Sequence, residues 1–455
     1  VTATLDGQAA EVRTERGVLS GGYRGTSLGI ILVVTLLAFE AMAVGTVMPV
    51  VAAGLDGLGL YAWGFSATLI TSLLSTVLAG GWVDRSGPAR PLVAGLGVFV
   101  AGLAIAGAAS SMWVFVAGRA VQGLGTGAAM VAMYVVIARV YPEDMRSRVF
   151  AALSAAWVLP SLIGPAVGGV IAEHIGWRWV FLGLIPLVVP PALLLVPALR
   201  GIPPSDRPDA PADRGRHLAA VAVAAGAGML LYGLEGHGWA AVPLVLAGLA
   251  GVGLGLPRLL PAGTVRFRRG LPSVVLTRGL LSGAFFGTDV FIPLALTSLH
   301  GFSATEAGVV LTVAALGWSA ASQFQGRSKR SREFFALLGA VCVTAGVVAV
   351  TLALRLSGWA AAPAWLLGGA GMGFAVGSLS VLLLGLSPED EQGVNSSALQ
   401  IGDTLGSSLV VGAAGALVAA SGTAHLGSGL TVAGALFTAI AALGVVSALR
   451  LKAPR

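Results

Sequence analysis

Apolar residues fall along this chain in runs of about 20, each closed by a short elbow of polar, glycine or proline residues. An α-helix needs a run of that length, nearly free of charge, to cross the hydrocarbon of a bilayer. Fourteen such runs are legible: 28–52, 62–83, 91–110, 112–138, 149–172, 178–199, 218–235, 239–256, 279–299, 303–324, 334–354, 360–386, 393–420 and 427–449. They are numbered here as spans 1–14. Membrane β-strands would give alternating segments of about ten residues instead. The pattern therefore predicts an all-α integral membrane protein.

Composition agrees. Hydrophobic residues make up 56% of the 455 and charged residues only 10%, against about 25% charged in soluble domains. The 66 glycines suit helices that must approach closely in lipid. The formal charge of +7 does not point to nucleic acid, because the basic residues stand singly or in small groups between apolar runs and gather on no one face. They read as topology. With both termini in the cytoplasm, the inner segments take 24 of the 27 Lys and Arg, the outer loops take Arg178 and Arg355, and Arg119 lies within a span. Basic residues favour the inner side, and shifting the helix count early in the chain would scramble this alternation. Residues 1–26 are polar and mixed in charge, so the first span is expected to serve as the targeting signal. Arg outnumbers Lys 25 to 2 and Ala and Gly dominate, which suggests a GC-rich bacterial genome, and the expected location is the bacterial cytoplasmic membrane.

The chain divides into a tail (1–27), a six-helix half (28–199), a linker (200–217), an inserted helix pair (218–256), a loop (257–278), a second six-helix half (279–449) and a short tail (450–455). An internal echo supports the division. Gly64-Phe65-Ser66-Ala67-Thr68 opens span 2 and Gly301-Phe302-Ser303-Ala304-Thr305 opens span 10. Each follows a span with one acid and a proline: Glu40 with Pro49, and Asp289 with Pro293. Parallel repeats of six helices are a transporter plan, and the Pro- and Asp-rich stretch 203–213 is the natural hinge.

One elbow is more specific than the rest. Between spans 2 and 3 the chain reads Gly80-Gly81-Trp82-Val83-Asp84-Arg85-Ser86-Gly87-Pro88-Ala89-Arg90. The spacing of Gly80, Asp84, Arg85, Gly87 and Arg90 resembles the cytoplasmic loop between helices 2 and 3 of the major facilitator superfamily. Arg119-x-x-Gln122-Gly123-x-Gly125-x-Gly127 in span 4 resembles the helix-4 pattern of the same superfamily. Gly164-Pro165 with Gly168-Gly169 in span 5 is similar to the signature of its drug:proton antiporters. Pro160 departs from that signature, which often has Gly there, so a kink is expected to be displaced by a turn. Trp177-Arg178-Trp179 with Pro186 fits the fourteen-helix branch. The resemblance implies the superfamily fold with 6+2+6 helices, alternating access and no enzymatic activity.

Candidate chemistry is sparse. A charge at mid-bilayer costs about 2.5–3.5 kcal/mol on insertion scales, so buried acids usually face a cavity or a partner. Glu40 in span 1, Asp289 in span 9 and Asp403 in span 13 sit deep. Desolvation favours the neutral acid, so such a carboxyl can load a proton on one side and release it on the other. Asp289 has no cation nearby in sequence. Glu40 resembles the acid of helix 1 in the branch. Asp403 reads more as a hydrogen-bonded structural acid. Arg119 is either an ion-pair partner holding span 4 or, as the resemblance implies, a group that tunes a carboxyl. The Gly164–Gly169 cluster removes bulk and a backbone hydrogen bond, suiting close packing across the halves; an isolated Gly-Pro would be ordinary packing. Glu389, in the one inner loop without Lys or Arg, complements the dipole of span 13 and is a candidate gate partner for Arg85 or Arg90.

Phe39, Met42, Trp157, Phe286, Phe291 and Trp318, with Gln122 of the span-4 pattern, are candidates to line an apolar cavity; for Trp157 and Trp318 lipid-facing or packing roles compete equally. Trp63, Trp113, Trp177, Trp179, Trp239, Trp359 and Trp365 stand at span ends, as an interfacial belt expects. Four of the five histidines, 174, 237, 300 and 425, fall in or near outer loops, and Cys342 is alone. Neither suggests a metal site or a disulfide framework. The expectation is a proton-coupled antiporter exporting lipophilic or cationic small molecules. It would work as a monomer in the bilayer, with no cofactor beyond the proton gradient and no nucleic-acid partner. An exporter of a lipid or secondary metabolite is the alternative. An intramembrane enzyme is disfavoured, because the spans carry no Ser-Lys or Ser-His dyad, His-Glu cluster or Gly-x-Ser-x-Gly elbow. A channel is disfavoured because the buried acids are single and dissimilar.

Overall fold

A backbone in lipid has no water to satisfy its N–H and C=O groups, so each apolar run closes its hydrogen bonds within itself as a helix. A computed structural model of the chain describes residues 19, 21–199, 214–236, 239–388 and 391–452. Within them lie fourteen helices long and apolar enough to cross a membrane. In chain order these are α1 (Arg24–Gly54), α2 (Trp63–Ser86), α3 (Ala89–Gly107), α4 (Met112–Val140) and α5 (Glu143–Ile171). Span 6 is broken at Gly183 into α6 (Arg178–Leu182) and α7 (Leu184–Leu199). Then come α8 (Arg214–Glu235), α9 (Val242–Leu259), α10 (Leu271–His300), α11 (Ala304–Arg327) and α12 (Arg332–Leu356). The series ends with α13 (Ala361–Leu386), α14 (Gln392–Ser421) and α15 (Leu426–Ala448).

An even number of crossings puts the start of α1 and the close of α15 at one end of the bundle, here the termini end. The strand of chain entering α10 is tied to the close of α15 there, Gly270 N–H donating to the Arg450 carbonyl at 3.0 Å. α1–α7 pack among themselves and α10–α15 among themselves. α8 and α9 form a hairpin whose α8 lies against both α2 and α14. α10 is the most enclosed helix, with 83% of its core window buried, and α9 the least, with 11%; the first is central and the second peripheral.

The direct contacts between the two halves crowd into the far end, away from the termini. The Tyr61 hydroxyl donates to the Val290 carbonyl at 2.8 Å, and Ser66 Oγ to the Ser408 carbonyl at 3.1 Å. A side chain at Gly169 would strike Ala304, one at Gly308 would strike Pro165, and one at Gly415 would strike Ala62. Interhelical hydrogen bonds inside membranes average about 0.6 kcal/mol, so this closure is a seam that can part.

Several expectations change. Arg278, placed by its polarity in a loop, lies in the second turn of α10, which starts eight residues before the apolar run of span 9. Arg119 is therefore not the sole basic residue within a span. The five-residue echo is not matched position by position: Gly64 and Ser66 lie inside α2, whereas Gly301 takes a left-handed φ of 67° and Ser303 caps α11. Two of the seven span-end tryptophans are not in a belt. Trp365 is fully buried and Trp177 is 7% exposed, packed on Phe115 and Phe181. Trp113, Trp179, Trp239 and Trp359 are at least half exposed. The hinge stretch 203–213 and Glu389 lie outside the described residues.

Candidate functional site

In the N-terminal half, three helices converge on one guanidinium. Arg119 of α4 pairs with the Glu40 carboxylate of α1, donates Nη1 to Gln122 Oε1 at 2.7 Å, and donates Nε to the Gly64 carbonyl of α2 at 2.8 Å. All three side chains are buried, Gln122 completely. The Gln122 amide nitrogen has no partner there, nor does the buried Thr46 hydroxyl. Glycines make the convergence feasible: a side chain at Gly123 would collide with Thr68 and Thr71 of α2. Glu40, Arg119 and Gln122, predicted separately, are thus brought into one cluster.

The C-terminal half holds two acids in different settings. Asp403 of α14 is clasped by Arg278 of α10 at 2.7 and 3.3 Å and also accepts from Ser282. Gly279 and Gly283 of α10 against Gly402 and Gly406 of α14 leave no room for side chains, and this close approach brings the pair within reach. Asp289 has a neutral partner instead. Its Oδ1 accepts from the Trp365 indole at 2.8 Å. Trp365 is stacked on Phe285 with ring centroids 4.7 Å apart, and Phe285 meets Trp318 and Phe286 edge-on at 5.6 and 5.3 Å. Asp289, Phe286 and Trp318 remain partly accessible. The result is a carboxylate at the edge of an aromatic wall built by α10, α11 and α13.

The remaining candidates lie as follows. Phe39 and Met42 of α1 sit against Gly164 of α5, and Trp157 is 37% exposed. Phe291 is buried between Tyr61 and Phe437, at the seam and away from the aromatic wall. α5 is held between α1, which meets Gly164 and Gly168, and α11, which meets Pro165 and Gly169. At the termini end, Gly87 takes φ 73° and lets α2 turn into α3. Around it Asp84, Arg85 and Arg90 are exposed, and a side chain at Gly80 would meet open space. Among the described residues no three His, Cys, Asp or Glu side chains gather to hold a metal ion.

The profile of the Major Facilitator Superfamily matches residues 30–411. The chain belongs to the Major Facilitator Superfamily. It is 26% identical over 406 residues to the multidrug transporter protein MdtP of Bacillus subtilis, a match covering 86% of this chain and 74% of MdtP. A probable multidrug-efflux transporter of Mycobacterium tuberculosis is 33% identical over 193 residues, 42% of this chain and 41% of its own length. An MFS-type transporter of the same organism is 26% identical over 462 residues, a match covering 94% of this chain and 65% of that protein's own length. Among solved structures, the peptide transporter POT in complex with sulfate superposes with a TM-score of 0.68 at 15% identity, covering 96% of this chain and 98% of that one. A bacterial homolog of the human lysosomal transporter Spinster gives 0.66 at 14% identity, covering 94% and 97%. The solved structures share the fold.

In this Major Facilitator Superfamily transporter, sequence reasoning missed Trp365, Phe285, Tyr61, Ser282 and Glu173. Glu173, in a π-helical turn after α5, accepts from both the N–H and the Oγ1 of Thr305, each at 2.8 Å, and so fastens the first half to the start of α11. A carboxylate at a helix N-terminus is a favourable pairing, but no local pattern announces one that arrives from 132 residues away. For Trp365 a signal existed: it stands five residues inside its helix, deeper than a belt residue needs to be.

Proposed function

We propose that the chain is a proton-coupled antiporter that exports lipophilic or cationic small molecules by alternating access. Its termini end would face the cytoplasm of a bacterial cell. One observation carries the reading: of the three deep acids, Glu40 and Asp403 are clasped by guanidinium groups, while Asp289 accepts from an indole beside an aromatic wall. A carboxyl that faces a neutral donor has no fixed counterion in the bilayer, so either a proton or a substrate cation can take that place. The same wall offers apolar and cation–π contact to a flat lipophilic cation. Proton and substrate would then compete for Asp289, which is the requirement of exchange. For a neutral lipophilic substrate, one charge crossing 100 mV supplies about 2.3 kcal/mol, roughly fiftyfold accumulation per proton; a monovalent cation exchanged for one proton moves no net charge and would be driven by ΔpH. The multidrug names of the relatives support the substrate class, and the crowding of direct contacts at the far end supports a pocket reached from the termini end.

The test is ΔpH-driven uptake of a lipophilic cationic dye into inverted vesicles. Wild type should accumulate dye, and Asp289→Asn should bind it without accumulating it. Undiminished accumulation by Asp289→Asn would remove this acid from the coupling. Part of the chain also favours a second substrate class. An Acurin A biosynthesis cluster MFS-type transporter of Aspergillus aculeatus is 30% identical over 173 residues, 38% of this chain. A drug-susceptibility panel on cells with and without the gene separates a drug exporter, which should raise resistance to several compounds, from a metabolite exporter, which should not.

A further inference from the structure

The C-terminal half has a cavity on a side that the transport reading does not use. α10, α12 and α15 leave about 490 Å³ between them toward the far end. Its deep walls, including Thr288, Phe291, Val350 and Phe437, are buried, while Leu299 and Arg355 at its mouth are exposed. Flanking side chains on α12 and α15, Val348, Leu352 and Val432, are also exposed, so this face meets the bilayer. Leu299 and Thr288 are eleven residues apart on one helix, a depth of about 16 Å. Half the hydrocarbon thickness of a bilayer is about 15 Å. The cavity thus runs from the helix ends to near the midplane, the reach of one acyl chain.

Its chemistry changes with depth. The Thr288 and Thr351 hydroxyls donate to carbonyls of their own helices, at 2.8 and 2.7 Å, so the deep walls offer no free hydroxyl donor, while Ser428 and Thr431 lie among the lining on α15. At the mouth, Arg355 in the last turn of α12 reaches α15 and donates to Thr431 Oγ1 at 3.1 Å. Among the described residues no carboxylate pairs with it. Complementing the helix dipole explains a cation at this helix end but not the cleft beneath it. A guanidinium with spare donors is suited to phosphate.

We propose that this cleft holds an anionic phospholipid from the leaflet at the far end, its phosphate on Arg355 and one acyl chain between α10, α12 and α15. The chain would lie on α10 at Thr288, next to Asp289, and fill the space that lets α10 shift within its half.

Native mass spectrometry of protein purified from equal phosphatidylglycerol and phosphatidylcholine tests the assignment. Wild type should retain phosphatidylglycerol preferentially. Arg355→Gln should lower that retention about tenfold, to the phosphatidylcholine level, while Arg355→Lys keeps most of it. Ala295→Phe, which fills the wall, should lower retention with the arginine intact. Equal retention of the two lipids by wild type, or undiminished phosphatidylglycerol on Arg355→Gln, would overturn the proposal. So would displacement by inorganic phosphate alone, which would mean an anion site without a chain. Dye transport plays no part in the readout, so the result stands apart from the antiporter reading.

Discussion

At the residue scale, the two arginines paired with deep acids, Arg119 with Glu40 and Arg278 with Asp403, decide what those acids can do. Arg119 and Glu40 are 3% and 4% exposed, and removing one member of such a pair leaves a buried charge with no counterion, typically at a cost of about 3–5 kcal/mol. Arg119→Met is therefore expected to lower the unfolding temperature of the detergent-solubilised protein sharply. Glu40→Leu combined with Arg119→Met should recover most of the loss, because an apolar pair of similar volume needs no compensation. If the double variant is as unstable as the single, the cluster holds α1, α2 and α4 through more than charge. The same logic qualifies Glu40→Gln: any loss of transport must be separated from loss of fold, whereas Asp289→Asn keeps an acceptor for the Trp365 indole and tests the proton alone. Arg278 was missed in the sequence because polarity alone ended span 9 at residue 279. Pro272, in the first turn of α10, was the available signal, since proline favours that position.

At the element scale, all fourteen crossings and their order were legible, because lipid forces a one-to-one relation between a long apolar run and a helix. The α5 cluster was legible as a packing device, though not which faces it would serve: Gly164 and Gly168 meet α1, and Pro165 and Gly169 meet α11. What the sequence did not disclose are contacts made across many residues of chain, such as Trp365 on Asp289, 76 apart, or Glu173 on Thr305, 132 apart. Apolar periodicity carries no information about which distant donor meets which acceptor. The α5–α11 seam yields a prediction at this scale. A side chain at Gly308 would strike the Pro165 carbonyl oxygen, a backbone atom that has little freedom to yield. Gly308→Val should therefore hold the far end apart, and spin labels on the far ends of α5 and α11 should show a longer separation than in wild type. Glu173→Ala should act in the same direction and more weakly. A hydrogen bond to a charged group contributes about 1.5–3 kcal/mol before screening, and after screening an increase of roughly tenfold in the open population is expected. An unchanged separation in both variants would show that the seam is held elsewhere.

At the scale of the whole molecule, the α8–α9 hairpin complicates a picture of two halves rocking freely. α8 touches α2 and α14 at both of its ends. Near the termini end, His217 lies against Gly81 and Arg216 donates to Ser397 at 2.8 Å. Toward the far end, Trp63 donates to Glu235 at 2.8 Å and Leu231 fills the space over Gly412. Motion between α2 and α14 must therefore slide over one face of α8. Ile70, Leu73 and Val77 of α2 and Ile401 and Leu405 of α14 share one apolar cluster with α8, so α8 is expected to act as a bearing between the two halves and to travel with neither. On the opposite flank α5 and α11 pack directly on each other, and the Glu173–Thr305 latch joins them. Joining Glu173→Cys to Thr305→Cys with a cleavable bifunctional thiol reagent should therefore stop ΔpH-driven dye transport while leaving dye binding from the termini end intact, and cleavage should restore transport. Weakening the contact of α8 with α2 by Trp63→Phe, which removes only the indole donor, should leave transport close to wild type. Full transport by the cross-linked protein would mean that the far end need not open between α5 and α11, and the rocking of two halves would have to give way to a path along α8.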